Sequence, residues 1–118
     1  MVLAAVTVRA TSLLLIQALI RRTHAEGGFA AVLHKGDAVA GAILVQTLGA
    51  GQQIQMFERV SDFSKGYQLL PAATQSWGDS SELTQYLDRR LRSDPDLWII
   101  ELDVANAEQL AAAILAEG

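Results

Sequence analysis

Hydrophobic residues near the start of the chain repeat with the spacing of an α-helix. From about Ser12 to Glu26 they gather on one side of a helical projection, and Ser12 is a suitable N-cap. Gly27 and Gly28 follow, and glycine just past the last turn commonly ends a helix. The pattern therefore predicts a helix over residues 12–26, with an apolar side formed by Leu13, Ile16, Leu19 and Ile20.

Four strand-like runs follow this helix and are separated by short turn segments. The third run alternates, with Ile54, Met56 and Val60 on one face, which is typical of a half-buried strand. Short turns between consecutive strands favour an antiparallel meander, and the proline after the fourth run favours an edge position for that strand. The predicted strands span Phe29 to His34, Ala42 to Leu48, Gln53 to Val60 and Tyr67 to Leu70.

The last third of the chain predicts a helix, a strand and a further helix. Asp79 with Glu82 resembles a capping box, and the apolar stripe behind it predicts a helix to about Arg92. A compact strand from Leu97 to Val104 comes next, and Asn106 opens the third helix.

These elements predict an α+β fold. We expect a mainly antiparallel sheet, made of a three- to four-strand meander plus a later strand, with about three helices packed on it. The length of 118 residues suits a single domain over residues 1–118, in which residues 1–10 are either irregular or a short strand.

The composition adds two constraints. The chain contains no cysteine, which excludes disulfides and thiolate metal sites. Apolar residues make up 51% of the chain and charged residues only 19%, with a mean hydropathy of +0.24. Such a chain could hide apolar area against a second copy of itself, or its alanine content could raise the apolar count without exposing a patch.

Charge and hydropathy also bear on partners and location. The net charge is −4, with nine Lys and Arg against thirteen Asp and Glu, so nucleic acid is not an expected partner. The uninterrupted apolar run near the N-terminus, Leu13 to Ile16, is far shorter than the ~20 residues needed to cross a bilayer. We therefore expect a cytoplasmic protein without a membrane segment.

Several segments, taken together, resemble an uncharacterised bacterial family. They are Ala18–Arg22, Gly27–Leu33, Gly36-Asp37, Ala40–Leu44 and Asp94–Glu101. In this combination the chain resembles, over roughly residues 12–104, the alphaproteobacterial family known as domain of unknown function 1491. The resemblance implies a bacterial, intracellular, stand-alone domain, and it brings no activity, substrate, cofactor or catalytic residue with it.

Two arginine pairs are candidates for anion binding. Arg21 and Arg22 end the first helix, and Arg89 and Arg90 lie near the end of the second. If the two helix ends meet, their guanidinium groups could hold an oxyanion. The commoner use of cations at a helix C-terminus is to complement the helix dipole.

Three carboxylates are weak candidates for a metal site. Glu101 and Asp103 point the same way on a strand, and Asp96 lies shortly before them, so they could serve a small metal-dependent hydrolase or nuclease. Alternatively, Asp96 belongs to a turn after the second helix, and the other two lie on the wet face of the strand.

Two tryptophans are candidate anchors for a partner surface. Trp98 is more often a core residue at such a position, whereas Trp77 lies in a glycine-containing loop. No nucleophile elbow, phosphate-binding loop, zinc motif or dinucleotide fingerprint occurs, so no cofactor is expected. The sequence therefore favours a non-enzymatic binding or assembly module that acts as a homodimer or with a protein partner. A metal-dependent enzyme and an anion-responsive regulator are the alternatives.

Overall fold

A computed structural model describes residues 10–48, 53–62, 64, 66–72 and 80–116. The helices and strands follow one another in the predicted order. In chain order they are α1 Ser12–Ala25, β1 Phe29–His34, β2 Ile43–Leu48, β3 Ile54–Asp62, β4 Gly66–Pro71, α2 Ser80–Ser93, β5 Trp98–Asp103 and α3 Ala107–Leu115. No helix in these ranges is long and apolar enough to span a membrane.

The five strands form one sheet in the order β1-β5-β2-β3-β4. Strands β2, β3 and β4 make an antiparallel meander, and β5 pairs antiparallel with β1 but parallel with β2. The predicted α+β class and the meander with a later strand are therefore confirmed. The short connection after β1 does not close a hairpin with β2, because β5 inserts between them. β2 and β5 are the most apolar strands, and a central position buries both of their faces.

Helices cover both faces of the sheet. On one face α1 and α3 pack against Ile43, Val45 and Phe57 and against the side chains of Trp98, Ile100 and Leu102 from β5. On the other face, α2 residues pack near Leu44, Met56, Leu97 and Ile99. Alternate residues of β5 therefore enter two different apolar clusters, as the period of two in a strand requires.

The cap of α1 differs from the predicted one. Thr11 has the extended backbone of an N-cap, and its hydroxyl accepts a hydrogen bond from the Leu14 N–H at 3.2 Å. Ser12 is the first helical residue instead, and its buried hydroxyl donates to the Gly41 carbonyl at 2.6 Å. The predicted stop is confirmed, since Gly27 follows α1 with φ +84°.

The start of α3 also differs from expectation. Asn106 occupies the N-cap position, but it is left-handed (φ 58°) and its side chain makes no capping bond. The capping residue predicted for α2, Asp79, lies outside the described residues.

Candidate functional site

The outer side of β1 has no neighbouring strand among the described residues. Its side chains are unusually exposed for their type: Phe29 is 75% exposed, Leu33 47% and Val32 40%. No charged residue or proline interrupts Phe29–Leu33, and the one irregularity in its pairing with β5 is a shift of register between Val32 and His34. We call Phe29, Val32 and Leu33 the β1 edge.

The start of α1 and the segment that follows β1 also expose apolar side chains. The Ser12 N–H donates to the Val39 carbonyl, and the Leu13 N–H donates to that of Ala38, so the start of α1 lies against the segment that follows β1. Leu14 and Val39 are 54% and 68% exposed there.

The opposite edge of the sheet is β4, which the sequence predicted as an edge strand. It has a different character, because its described side chains are half-buried up to Leu69 and it ends in Pro71. Leu70 is 41% exposed on this edge. The two edges therefore offer an apolar strand on one side and a partly polar, proline-terminated strand on the other.

The arginines at the end of α1 are solvent-exposed. Arg22 pairs with Glu26 one turn later, with 3.2 Å between Nε and Oε2, and both side chains are about half exposed. Exposed pairs of this spacing contribute only about 0.3–0.5 kcal/mol. Arg21 lies beside them, also exposed.

Arg90 has a structural partner on the sheet. Its Nη1 atom lies 2.9 Å from Glu58 Oε1 and donates to the Tyr86 hydroxyl at 2.8 Å. Burial alone would lower the pKa of the Arg90 guanidinium, but the hydrogen bonds to Glu58 and Tyr86 outweigh it and raise that pKa above its ordinary value. Arg90 therefore ties α2 to β3, while its neighbour Arg89 is exposed.

The two arginine pairs do not meet. The end of α1 lies beside the last residues of β5, where a Cβ on Gly28 would contact the Asp103 carbonyl. The end of α2 leads directly into the start of β5, and the Leu97 N–H donates to the Asp94 carbonyl there. Because α1 and α2 also cover opposite faces, the four guanidiniums cannot form one anion site.

The three candidate carboxylates are also spread out, from the turn before β5 to the last residue of that strand. Asp96 precedes the strand and Asp103 is its last residue. At about 3.3 Å per residue, the first and last residues of β5 lie about 17 Å apart. Ligands to one cation lie about 2.0–2.6 Å from it, so Asp96 and Asp103 cannot share a metal. Within the described ranges, no group of three or more His, Asp or Glu side chains is arranged to hold one.

Glu101 has a partner that the sequence did not indicate. The Gln46 side chain donates from Nε2 to Glu101 Oε2 at 2.6 Å across the parallel β2–β5 pair. Gln46 is only 5% exposed, and its Oε1 has no hydrogen-bond partner. Glu101 therefore accepts from the nitrogen of a buried amide whose oxygen stays unpaired, a contact between two strands that the sequence did not indicate.

Trp98 lies in the core, at 2% exposure. Its indole Nε1 donates to the Asp37 carbonyl at 2.7 Å. This is the core position that the sequence favoured for Trp98, and it leaves the side chain unavailable as a surface anchor. Trp77 lies outside the described residues.

A cavity of about 420 Å³ lies at the start of α1, on the sheet face that α1 and α3 cover. The Arg59 Nε donates to the Leu115 carbonyl at 3.0 Å, and its guanidinium carbon lies 3.5 Å from the centre of the Tyr67 ring. Arg59 was not among the candidate residues named from the sequence, and the packing of α3 on its face of β3 makes it a wall of this cavity. We call this cavity, whose polar side chains are Thr11, Ser12, Arg59, Ser61 and Tyr67, the Arg59 pocket.

Comparison with known proteins agrees with the resemblance found in the sequence. The profile of the proteins of unknown function DUF1491 matches residues 10–112. The chain belongs to the DUF1491 family. The matched range contains both the β1 edge and the Arg59 pocket, so both are parts of the DUF1491 domain.

Solved DUF1491 structures share this fold. An NMR structure of a DUF1491 family protein from Caulobacter crescentus CB15 is 27% identical, with a TM-score of 0.75 over 88% of this chain and 94% of that one. A crystal structure of a DUF1491 family protein from the same organism is 28% identical, with a TM-score of 0.73 over 85% and 92%. A solution structure of a protein from A. tumefaciens is 27% identical, with a TM-score of 0.74 over 94% and 98%. Curated protein sequences give no match.

Proposed function

We propose that this DUF1491 protein is a non-enzymatic assembly module that acts as a homodimer, joined through β1. The observation that carries the proposal is the β1 edge, where Phe29, Val32 and Leu33 are exposed on a strand whose outer side has no strand neighbour among the described residues. An edge strand can pair antiparallel with its own copy about a two-fold axis, which joins two five-stranded sheets into one.

The side chains of β1 suit a second copy on both faces of such a sheet. Phe29 aligns with Asp103 and Val32 with Ile100, so the two side chains point to opposite faces. Pairing of two β1 strands would cover apolar surface on each face, and burial contributes about 25 cal/mol per Å² of that surface.

The charge distribution also favours self-association at this edge. The chain carries a net charge of −4, but no charged side chain lies in Phe29–Leu33. Two copies would therefore meet there without like charges opposite each other. Such like-charge pairs across strands are destabilising.

We place this module in the cytoplasm, where a cysteine-free chain is at no disadvantage.

The test is the molar mass in solution across a range of concentrations. Multi-angle light scattering should give twice the chain mass of 12.7 kDa for the wild type. Leu33→Glu should give the single-chain mass, because it places a charged side chain on the apolar edge that the second copy would cover. Leu70→Glu is the matched control, since Leu70 has similar exposure on the opposite edge strand, and it should remain dimeric. A wild type that is monomeric at every concentration, or a Leu33→Glu variant as dimeric as the control, would refute the proposal.

A further inference from the structure

A second cavity, of about 330 Å³, lies where the parallel strands β2 and β5 end and α3 begins. Its described lining comes from the last residues of β2, from β3, from the turn after β5 and from the first turn of α3. We propose that this cavity, which we call the α3 cleft, binds a free α-amino acid with an apolar side chain. The proposal is independent of the homodimer, because none of the described residues that line the α3 cleft belongs to β1.

Thr47 brings a buried hydroxyl to the α3 cleft. It follows Val45 by two residues on β2, so its side chain lies on the sheet face that α1 and α3 cover. Thr47 is only 3% exposed, and within the described ranges its hydroxyl makes no hydrogen bond to another residue. Buried hydroxyls normally have a partner, so this one is a donor left over for a bound group.

The start of α3 adds backbone donors to this hydroxyl. The first N–H groups of a helix have no carbonyl partner within it. Asn106 holds the N-cap position of this nine-residue helix, but its side chain makes no capping bond. The next three residues, Ala107, Glu108 and Gln109, all line the α3 cleft. Their N–H groups and the positive end of the helix dipole suit a carboxylate.

The same lining carries a negative charge. Glu108 is the acidic residue in the first turn of α3, and its exposed carboxylate would repel a simple anion. An α-amino acid carries a carboxylate and an ammonium group on one carbon. Its carboxylate can accept from the helix start and from Thr47, while its ammonium group donates to Glu108. A zwitterion therefore matches the α3 cleft better than an anion or a cation alone.

The rest of the described lining is partly apolar. Leu48, Val104 and Ala107 contribute apolar surface beside the polar groups. A volume of about 330 Å³ lies at the lower end of the range of small-molecule sites. An amino acid whose side chain is apolar fits this size and this division of the surface.

The first experiment is a titration of the full-length protein followed by amide chemical shifts in ¹H–¹⁵N spectra. The probes are leucine, isocaproate, which lacks the ammonium group, and leucinamide, which lacks the carboxylate. Leucine should cause saturable shifts at Thr47, Val104 and Gln109, and each analogue should bind at least about tenfold more weakly, because it loses one charged contact. Equal affinity for either analogue, shifts confined to other parts of the molecule, or no saturable shift with leucine would overturn the proposal.

Variants supply the second experiment. Glu108→Gln should weaken leucine binding by about tenfold or more, because the ammonium group loses its charged partner. Glu82→Gln is the matched control, since Glu82 is the acidic residue in the first turn of α2 on the other face of the sheet, and it should leave the affinity unchanged.

Thr47→Val tests the hydroxyl at almost constant shape. It should also weaken leucine binding by about tenfold, while the difference in affinity between leucine and leucinamide should shrink, because the carboxylate loses a donor. Glu108 is exposed, so its substitution gives a readout even if the buried Thr47→Val variant does not fold. Unchanged leucine affinity in either variant, folded as judged by its spectrum, contradicts the proposal.

Discussion

The indole of Trp98 donates a hydrogen bond to the backbone carbonyl of Asp37 at 2.7 Å. The Asp37 N–H in turn donates to the Asp96 carbonyl, so the connection between β1 and β2 is bonded at two points to the start of β5. This pair of bonds holds the β1–β2 connection across the N-terminal end of β5. It also explains how β5 can lie between two strands that precede it in sequence.

Loss of the indole donor should therefore destabilise the protein. Trp98→Phe leaves the Asp37 carbonyl without its partner and removes buried volume, and we expect a loss of about 2–4 kcal/mol in the free energy of unfolding. Urea denaturation measures this loss. A change below about 0.5 kcal/mol, the range of ordinary surface substitutions, would show that the bond has no structural role.

The emission of Trp98 provides a separate test of its burial. The chain contains two tryptophans, so Trp77→Phe leaves Trp98 as the only indole fluorophore. At 2% exposure it should emit at short wavelength and resist quenching by iodide. Emission at the wavelength of free tryptophan in water would contradict the core position.

The second prediction concerns Gly36, which lies close to the backbone of Asp96. A Cβ at this residue would collide with the Asp96 carbonyl oxygen, which is backbone and cannot move aside freely. Gly36→Ala should therefore cost about 1–3 kcal/mol or more.

Gly27→Ala is a useful comparison for Gly36→Ala. Gly27 has φ +84° but open space around its Cβ position, so this substitution should cost only about 1–2 kcal/mol, for the left-handed backbone. Comparison of the two substitutions thus separates the free-energy cost of a steric clash from the cost of a left-handed backbone. A smaller loss for Gly36→Ala than for Gly27→Ala, measured by thermal or urea unfolding, would contradict the packing at Asp96.

Arg90 and Arg89 form a matched pair for the third prediction. Arg90→Met removes the bonds to Glu58 and Tyr86 and should cost about 1–3 kcal/mol, whereas Arg89→Met should change stability by less than about 0.5 kcal/mol. Equal effects of the two substitutions would refute the structural role of Arg90.

The pH dependence of the Arg90 contribution has a definite sign. The pKa of the folded-state guanidinium is raised, so the stabilisation is fully present below its ordinary pKa and is lost only as the pH rises through the raised value. The difference in stability between wild type and Arg90→Met should therefore stay constant from neutral to mildly alkaline pH. Urea unfolding at several pH values checks this.

Hydrogen exchange gives a fourth prediction for the proposed dimer. Amides of β1 that face away from β5 should exchange more slowly as protein concentration rises, because pairing with a second copy protects them. The amides of β4, on the opposite edge, should exchange at a rate independent of concentration. A rate independent of concentration on both edges would exclude pairing through β1.

Local features of the sequence were sufficient to predict the helices and strands. The bounds of β1 agree with the prediction, and Gly27 ends α1, because apolar spacing and glycine stops act over a few residues. The caps were less predictable. Ser12 had the right chemistry for an N-cap, but its side chain bonds to Gly41, a residue far along the chain, and Thr11 caps the helix instead.

The candidate sites depended on contacts that no local pattern contains. Arg90 looked like a helix-end cation, yet it meets Glu58 on another element, and Gln46 looked like part of an apolar strand, yet it pairs with Glu101. Arg59 gains its bond to the Leu115 carbonyl only because α3 packs on that face of β3. Side-chain contacts of this kind depend on which elements become neighbours. They can therefore be known only once the order of the strands and the packing of the helices are known.

The sequence alone therefore determined the element types, the α+β class and the family, since these depend on short-range periodicity and on recognisable segments. The tertiary structure alone decided that β5 lies between β1 and β2 and that β1 is left as an apolar edge. The physical reason is that the most apolar strands are buried most completely at the centre of the sheet. The strand order therefore depends on all the strands together and not on any one segment.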